Sequence, residues 1–392
     1  MALTFEVQEV AHHVNIKVIG VGGAGCNAIN NMIEHALSGV QFIAANTDAQ
    51  VLKLSKATDV VQLGTTGFGA GCDPEVAREA AEADRERIGE LINGANLLFI
   101  TAGMGGGTGT GASPVIAQIA REKGIFTVGV VTKPGLDEGS RQKVAQAGID
   151  ELSRSVDSLI IVSNQKLEEV LGEDVTVDEA FRAADDVLRN AVASIVEIIQ
   201  YPGLINVDFA DVKTVMQEKG MAMMGSAFAA GENRSIRATE EAISCPLLDN
   251  INFKGARGVL LNISASRASL KKSEITRARE IIQSHVAEDA MVKHGVVYDE
   301  SLGEQIRITI IATGMGNNAN KPQLSVVQTP QLKTGTDNHS GEPDWGAYDL
   351  PPGFRPNNRS ARGSAGDVAT VSRSTTSNVD MDIPAFLRRQ AD

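Results

Sequence analysis

Short, mostly apolar runs alternate with helical patterns between residues 15 and 163 of the chain. Runs of four to six such residues are typical of buried strands, and the segments between them, such as 74–91 and 139–153, carry the spacing of helices. The runs span 16–19, 42–45, 97–100, 126–131 and 158–162. This alternation predicts an α/β domain built on a Rossmann-like parallel sheet, whose ligands bind beyond the carboxyl ends of the strands.

A long amphipathic helix is predicted at 178–200. Its apolar positions recur at steps of three and four residues, and they are Phe181, Ala184, Leu188, Ala191, Ile195 and Ile198. Asp178 is the predicted N-cap, and the sequence Tyr201-Pro202-Gly203 ends the helix. We expect this central helix to pack as a spine between two domains.

The second domain contains two strongly β-like runs, 258–263 and 305–311, which flank a helix predicted at 273–286. This order predicts a smaller α+β domain with a mixed sheet. The predicted organisation is therefore a flexible arm at 1–12, the parallel-sheet domain at 13–177, the central helix at 178–201 and the α+β domain at 202–316.

The rest of the chain has a different character. Residues 317–378 are poor in apolar side chains and rich in Asn, Pro, Ser, Thr, Gly and Gln, so we expect a disordered linker. Trp345 lies within this linker, and the sequence suggests no role for it beyond an apolar contact point. In the tail at 379–392, Asp382 and Pro384 begin a short apolar helix beside two arginines. We expect this tail to fold onto a partner, with a frayed end as the alternative.

Charge and cysteine content narrow the function classes. The 392 residues carry a net charge of −13, to which the stretch after Gly316 contributes nothing, since it has eight basic and eight acidic residues. The acidic body argues against binding to nucleic acid or anionic lipid. Three cysteines without paired or metal-binding spacing favour a reducing compartment. Without a leader or a run of 18 apolar residues, we expect a soluble, cytoplasmic protein with no direct membrane insertion.

The most informative segment joins the strand at 97–100 to a helix. This main glycine loop consists of Gly105, Gly106, Gly107, Thr108, Gly109, Thr110 and Gly111. Glycines let backbone N–H groups converge on an anion, and a helix N-terminus adds positive potential. We expect the helix to begin at Ala112, with Pro114 in its first turn. The loop predicts phosphate binding, but the Gly-Lys-Ser/Thr of a P-loop is missing, which excludes that class.

The first glycine loop, at 20–25, follows the first strand and satisfies G-x-G-x-x-G. Alone, with Asp48 near the position of an NAD ribose acceptor, it favours an NAD-dependent oxidoreductase. Two glycine loops in one sheet favour instead a single nucleotide held from both sides. The candidate contacts around this loop are Gly22, Gly23, Ala24, Gly25, Cys26 and Asn27.

Three further segments are predicted to face the same crevice. Asn46 and Asp48 end the second strand, where their side chains reach the ligand or its metal ion, or satisfy their own turn. The glycine-rich turn at 67–71, which ends at Gly71, is either a lid over the phosphates or a plain connector. Thr132 ends the strand that follows the main glycine loop.

Phe181 and Asp185 lie four residues apart on the central helix and share a face. An aromatic ring that stacks on a base, with a carboxylate that accepts from its N–H groups, selects guanine, because adenine lacks the N1–H and 2-amino donors. The place of Phe181 in the apolar stripe favours a core role for it, and Asp185 also fits a solvated face.

Asp208 and Asp211 follow the central helix, three residues apart. Two carboxylates so placed suit polarisation of water or binding of Mg²⁺ during phosphate hydrolysis, although Asp208 also fits an N-cap. Sixteen residues separate Asp185 from Tyr201, about 25 Å of helix. The acids therefore reach a nucleotide only in a neighbouring copy stacked head to tail, a contact that generates a filament.

These residues resemble the tubulin/FtsZ family. The main glycine loop is similar to the family signature, and residues 206–212 are similar to the loop with which FtsZ completes a neighbour's active site. Residues 45–50, 73–76 and 382–390 also resemble FtsZ. The resemblance implies a GTPase, binding GTP and GDP, that polymerises into protofilaments and forms the division ring at the septum. It also implies that the tail docks membrane-tethering division proteins.

The resemblance further implies roles for individual residues. Residues 23–27 and 107–109 would contact phosphates, Glu138 and Asn164 the ribose side, and Asp185 the guanine. Asp208 and Asp211 would polarise water at the adjoining subunit's γ-phosphate, with Asn206 of the same loop as a third catalytic residue.

One segment departs from the family pattern P-F-x-F-E-G-x-x-R. Residues 134–142 lack both phenylalanines, Gln142 holds the arginine position, and Arg141 stands one residue early. Gln165 replaces the usual aspartate. We expect altered nucleotide affinity or turnover, so a filament scaffold that does not hydrolyse GTP stays open as an alternative, beside the NAD-dependent oxidoreductase.

Overall fold

The computed structural model describes residues 14–135, 138–172, 175–201, 203–205, 207–218, 221–245, 255–287 and 289–315. The predicted arm, linker and tail lie outside these residues, as do Asn206 and Trp345. The expectations for those parts of the chain stay predictions, and so do the proposed domain boundaries.

Ten strands of the described residues form one sheet. They are β1 (Ile16–Val21), β2 (Val40–Asn46), β3 (Asp59–Gln62), β4 (Leu97–Gly103), β5 (Phe126–Lys133), β6 (Ser158–Ser163), β7 (Met221–Ala230), β8 (Gly258–Ala265), β9 (Met291–Tyr298) and β10 (Gln305–Met315). Their order across the sheet is β3-β2-β1-β4-β5-β6-β7-β10-β8-β9. Strands β1 to β7 run parallel, whereas β10 is antiparallel to β7 and β8, so the far part of the sheet is mixed, as predicted.

Eleven α-helices occur in the same residues. They are α1 (Gly22–Glu34), α2 (Ala49–Lys53), α3 (Pro74–Ala83), α4 (Arg85–Ile92), α5 (Thr108–Glu122), α6 (Ser140–Ser155), α7 (Asn164–Leu171), α8 (Val177–Gln200), α9 (Phe209–Met216), α10 (Arg234–Ile243) and α11 (Lys272–His285). None of these helices has both the length and the hydropathy that crossing a bilayer would require.

Strand order decides where a ligand can bind. The first six strands follow the order 3-2-1-4-5-6, which reverses direction between β1 and β4. In such sheets the crevice lies outside the carboxyl ends of the two strands at this switch point. Val21 pairs with Ala102 there, so the two glycine loops leave from adjacent strand ends.

Helix α8 forms the predicted spine. Ala191 and Ile195, both fully buried, belong to the apolar layer that covers one face of β1, β4 and β5. The same layer continues to Leu260 of β8 and Ile311 of β10. A single helix therefore shares one core with strands of both predicted domains. The helix ends at Gln200, as predicted.

Two predicted helix boundaries were wrong. The helix expected at 74–91 is two helices that break at Asp84, whose carboxylate accepts a hydrogen bond from the Gly64 backbone N–H at 2.6 Å. The N-cap of α8 is Thr176, not Asp178, because Thr176 and Glu179 satisfy each other's backbone N–H groups in a capping box.

The helix after the main glycine loop also begins earlier than expected. It starts at Thr108, four residues before Ala112, so Pro114 lies inside the helix and not in its first turn. Proline cannot donate to the carbonyl of Thr110 four residues back. The early start places the last four residues of the glycine loop within helix α5 itself.

Candidate nucleotide site

The two glycine loops meet at the carboxyl ends of β1 and β4. Gly22 has a φ of +74°, and a Cβ atom added to it would lie 2.9 Å from the Gly109 nitrogen. A Cβ added to Gly109 would lie 2.5 Å from the Gly103 carbonyl oxygen. Only glycine permits this approach of backbone to backbone. As a result, the N-termini of α1 and α5, each with free backbone N–H groups, open into one crevice.

Other glycines of the two loops face open space. A Cβ added to Gly23 or Gly106 would meet nothing within 4 Å. Gly23, Ala24 and Asn27 are exposed, whereas Cys26 is fully buried. Burial raises the pKa of the Cys26 thiol to about 11, so this thiol stays protonated and faces the interior. The crevice is thus lined by backbone, with room above it.

A contact between two threonine hydroxyl groups joins the end of β2 to the main glycine loop. Thr47 Oγ1 and Thr108 Oγ1 lie 2.7 Å apart. On either side of Thr47, Asp48 caps α2 by accepting from the Gln50 N–H at 2.8 Å, and Asn46 Oδ1 accepts from the Asp48 N–H at 3.2 Å. Asn46 and Asp48 therefore satisfy their own turn, as the alternative expectation had it, while lying beside the predicted phosphate site.

The turn at 67–71 packs on the same loop. The Gly69 N–H donates to the Thr47 carbonyl at 3.1 Å, and a Cβ added to Gly107 would lie 2.9 Å from the Ala70 Cβ. Gly71 is exposed at the end of this turn. The turn is therefore fixed against the main glycine loop, and whether it covers a ligand stays a prediction.

An ion pair lies on the other side of the main glycine loop. Arg141 Nη1 donates to Glu138 Oε2 at 2.5 Å, and Arg141 Nε donates to the Gly105 carbonyl at 3.4 Å. The carbonyl of Thr132, at the end of β5, accepts from the Met104 N–H at 2.9 Å. The structure thus brings Thr132, Glu138 and Arg141 to the loop. It places the Arg141 guanidinium, one residue before Gln142, against the loop backbone.

Asn164 begins α7 immediately after β6, at the same edge of the sheet. Its side-chain oxygen, Oδ1, is buried and accepts no hydrogen bond from any described residue. An unpaired buried amide oxygen costs about 1–3 kcal/mol, which a ligand hydroxyl group can recover. This oxygen fits a ribose contact.

The two residues predicted to recognise the base differ in environment. Phe181 is 64% exposed, so the favoured core role was wrong, and the buried stripe of α8 begins at Ala184. Asp185 is half-buried, and burial, with a smaller contribution from the charge of Asp186, raises the pKa of its carboxyl to about 7. An exposed ring and a desolvated carboxylate on one helix face suit the stacking and hydrogen bonding of guanine.

Asn31 was not among the predicted site residues. Its Nδ2 donates to Asp186 Oδ1 at 3.1 Å, which ties α1 to α8 beside Asp185. Its buried Oδ1, like that of Asn164, lacks a partner among the residues described. The available signal was its position four residues after Asn27, on the same face of α1.

The predicted catalytic acids lie elsewhere. Asp208 caps α9 by accepting from the Asp211 N–H at 2.6 Å, and Asn206 falls outside the described residues. Phe209 of α9 packs edge-on against Phe126, with ring centroids 6.1 Å apart. Phe126 is the first residue of β5, whereas the glycine loops follow the last residues of β1 and β4, which run parallel to β5 in the same sheet. Eight residues of strand, about 26 Å, therefore separate the two edges.

Comparison with protein families fits this geometry. Residues 15–172 match the model described as "Tubulin/FtsZ family, GTPase domain", and residues 220–316 match "FtsZ family, C-terminal domain". The chain belongs to the FtsZ family. Membership confirms the predicted two-part α/β fold and the GTPase activity, in the FtsZ role of a GTP-dependent, filament-forming protein of cell division. It supports neither the oxidoreductase nor the non-hydrolysing scaffold.

Individual FtsZ relatives extend over nearly the whole chain. The cell division protein FtsZ of Pseudomonas putida is 48% identical and is aligned over 98% of this chain and 99% of its own length. FtsZ of Neisseria gonorrhoeae is also 48% identical and is aligned over 100% of this chain and 99% of its own length. Among solved structures, the empty FtsZ dimer of M. jannaschii is 39% identical, with a TM-score of 0.73 over 77% of this chain and 88% of its own.

Proposed function

We propose that this FtsZ-family protein holds GTP in the crevice between its two glycine loops and hydrolyses it with Asp208 and Asp211 of the next subunit in a head-to-tail filament at the division septum. The observation that carries the proposal is the position of these groups at opposite edges of one sheet. Because β5 spans the distance between the edges, the acids of a subunit do not reach its own nucleotide, but those of a stacked copy do.

Binding follows from groups already in place. Backbone N–H groups at the starts of α1 and α5 hold the phosphates, with Arg141 beside them. Asn164 Oδ1 and Glu138 lie on the ribose side, Phe181 stacks on the base, and ionised Asp185 accepts from the guanine N1–H and 2-amino groups.

Mg²⁺ belongs to the proposal as a partner of the phosphates. Across the described parts of the chain no three His, Cys, Asp or Glu side chains form a metal cage. Mg²⁺ in nucleotide sites is usually held by phosphates, waters and one or two carboxylates, and Asp48 beside the main glycine loop fits that need. When bound, the ion neutralises phosphate charge during hydrolysis.

The two acids have different duties in this proposal. The Asp208 carboxylate is engaged at the start of α9, where it fixes the first turn of the helix. The Asp211 side chain does not cap the helix, so it is the group that orients and polarises the attacking water at the neighbour's γ-phosphate.

The test is phosphate release measured against protein concentration, with light scattering recorded on the same samples. We expect release per molecule to rise at the assembly threshold, and Asp211→Ala to assemble while turning over slowly. Glu280→Ala, an exposed acid on α11, is the matched control and keeps the wild-type rate. A rate per molecule that is constant through the threshold would overturn the proposal.

We also propose that the tail at 379–392 docks membrane-tethering division proteins and so brings the filament to the septum. A chain lacking these residues should keep its assembly-dependent GTPase activity and lose septal localisation in cells. Normal localisation of the truncated chain would contradict this part of the proposal.

A further inference from the structure

Lys293 of β9 forms an ion pair with Asp211. Its Nζ lies 2.8 Å from Asp211 Oδ1, and both side chains are more than one-third exposed. In the sequence the two residues are 82 positions apart. An exposed pair of this kind contributes about 0–1 kcal/mol to stability, so fold stability alone does not account for it.

Strand β9 is hydrogen-bonded to Leu204 and Ile205, shortly before α9. The Leu204 N–H donates to the Val296 carbonyl at 3.0 Å, and the Val296 N–H donates to the Ile205 carbonyl at 3.1 Å. Gly295 packs against Ile198 at the end of α8, where an added Cβ would lie 3.3 Å from Ile198 Cγ1. Lys293 and Gly295 are two residues apart and therefore lie on the same face of the strand, which directs the lysine toward α9.

At the proposed subunit contact, the positive charge of Lys293 offsets the negative charge of Asp211. Asp208 and Asp211 enter a site that holds a polyphosphate, so unpaired carboxylates would be repelled. The other nearby lysine, Lys213 on the same helix, has its Nζ 5.9 Å from the centre of the Phe126 ring, whereas the Lys293 Nζ contacts Asp211 itself. Lys293 therefore supplies the positive charge that neutralises Asp211 directly.

We propose that Lys293 is a positioning residue for polymer-dependent GTP hydrolysis, because it holds the Asp211 carboxylate in one orientation and offsets its charge as it approaches the neighbour's γ-phosphate. This inference rests on the proposed function of Asp211. It assigns no contact between Lys293 and the nucleotide, since the lysine acts through the aspartate.

The test uses the full chain with Lys293→Met, which keeps an unbranched side chain but removes the charged ammonium group, and Lys293→Arg, which keeps the charge. We measure the critical concentration by light scattering and phosphate release per assembled subunit above it. Lys293→Met should lower release on the order of tenfold, because a misplaced reacting group costs rate, and should change the critical concentration less than about twofold. Lys293→Arg should restore most of the rate, and Lys272→Met, an exposed lysine at the start of α11, should match wild type.

A double-mutant cycle separates positioning from an independent effect. Adding Lys293→Met to Asp211→Ala should slow release no further, since the lysine acts only through the aspartate. Wild-type release per assembled subunit from Lys293→Met, or an equal slowing in both backgrounds, overturns the role of Lys293. If wild-type release per molecule does not rise with assembly, the proposed function itself fails, which is a distinguishable result.

Discussion

The hydroxyl oxygens of Thr47 and Thr108 lie 2.7 Å apart, which joins the end of β2 to the first turn of α5. This contact fixes the main glycine loop relative to the strand beside it. It lies at the helix N-terminus that we expect to hold phosphate. Its loss should therefore lower nucleotide affinity more than it lowers the stability of the fold.

Thr108→Val should weaken GTP binding about fivefold, because it removes one hydroxyl hydrogen bond worth about 1 kcal/mol and leaves Thr47 unpaired. Fluorescent-nucleotide titration measures this change. The control is Thr276→Val on α11, whose exposed hydroxyl donates to the Lys272 carbonyl of its own helix at 3.2 Å. Equal affinities of the Thr108 and Thr276 variants would rule out a role for the contact.

Gly23→Ala and Gly106→Ala should leave the melting temperature of the nucleotide-free protein unchanged and weaken GTP binding. The new methyl groups meet no protein atom within 4 Å, but they point into the space assigned to phosphate. Gly109→Ala should instead lower the melting temperature, because its Cβ would clash with the Gly103 carbonyl. Unchanged GTP affinity in both the Gly23 and Gly106 variants would place the phosphates elsewhere.

GTP affinity should fall as pH drops from 8 to 6. The pKa of Asp185 is raised to about 7, so its carboxylate is mostly ionised at pH 8 and mostly protonated at pH 6. Only the ionised form accepts from both guanine donors, and we expect a loss of about tenfold over this range. Asp185→Asn, which does not titrate, should show a flat profile. Parallel profiles for the two proteins would exclude Asp185 as the cause.

Arg141→Gln should weaken GTP binding by about fivefold, since it removes the guanidinium that lies against Gly105. Lys143→Gln removes an equal charge from an exposed position on the same helix and should have little effect. If Arg141 replaces the family arginine, adding Gln142→Arg to Arg141→Gln should recover affinity. Equal losses from the Arg141 and Lys143 variants would show that only the overall charge matters.

Local patterns predicted much of the fold. The apolar runs at 97–100 and 126–131 are buried strands of the parallel sheet, and the paired glycine loops lie where their strand ends indicated. Three strands were missed. β7, with the sequence Met-Ala-Met-Met-Gly-Ser-Ala-Phe-Ala-Ala, has no β-branched residue, and its pairing with β10 overrides its weak propensity.

Some features of the site were likewise predictable from the sequence, and others were not. Glycine spacing and the step from Phe181 to Asp185 were visible in the chain, because backbone access and helix faces depend on neighbouring positions. The exposure of Phe181 was not visible, since an apolar stripe does not reveal where its helix leaves the core. The break at Asp84 depends on a bond to Gly64, twenty residues away.

Residue type and short-range spacing were enough to predict seven of the ten strands, the points where glycine lets two backbones approach, and the acids that follow a long helix. The contacts of Lys293 with Asp211 and of Arg141 with Gly105, and the placement of α9 and the glycine loops at opposite edges of the sheet, are visible only in the folded chain. Such contacts depend on strand order and register, which the packing of the whole sheet sets.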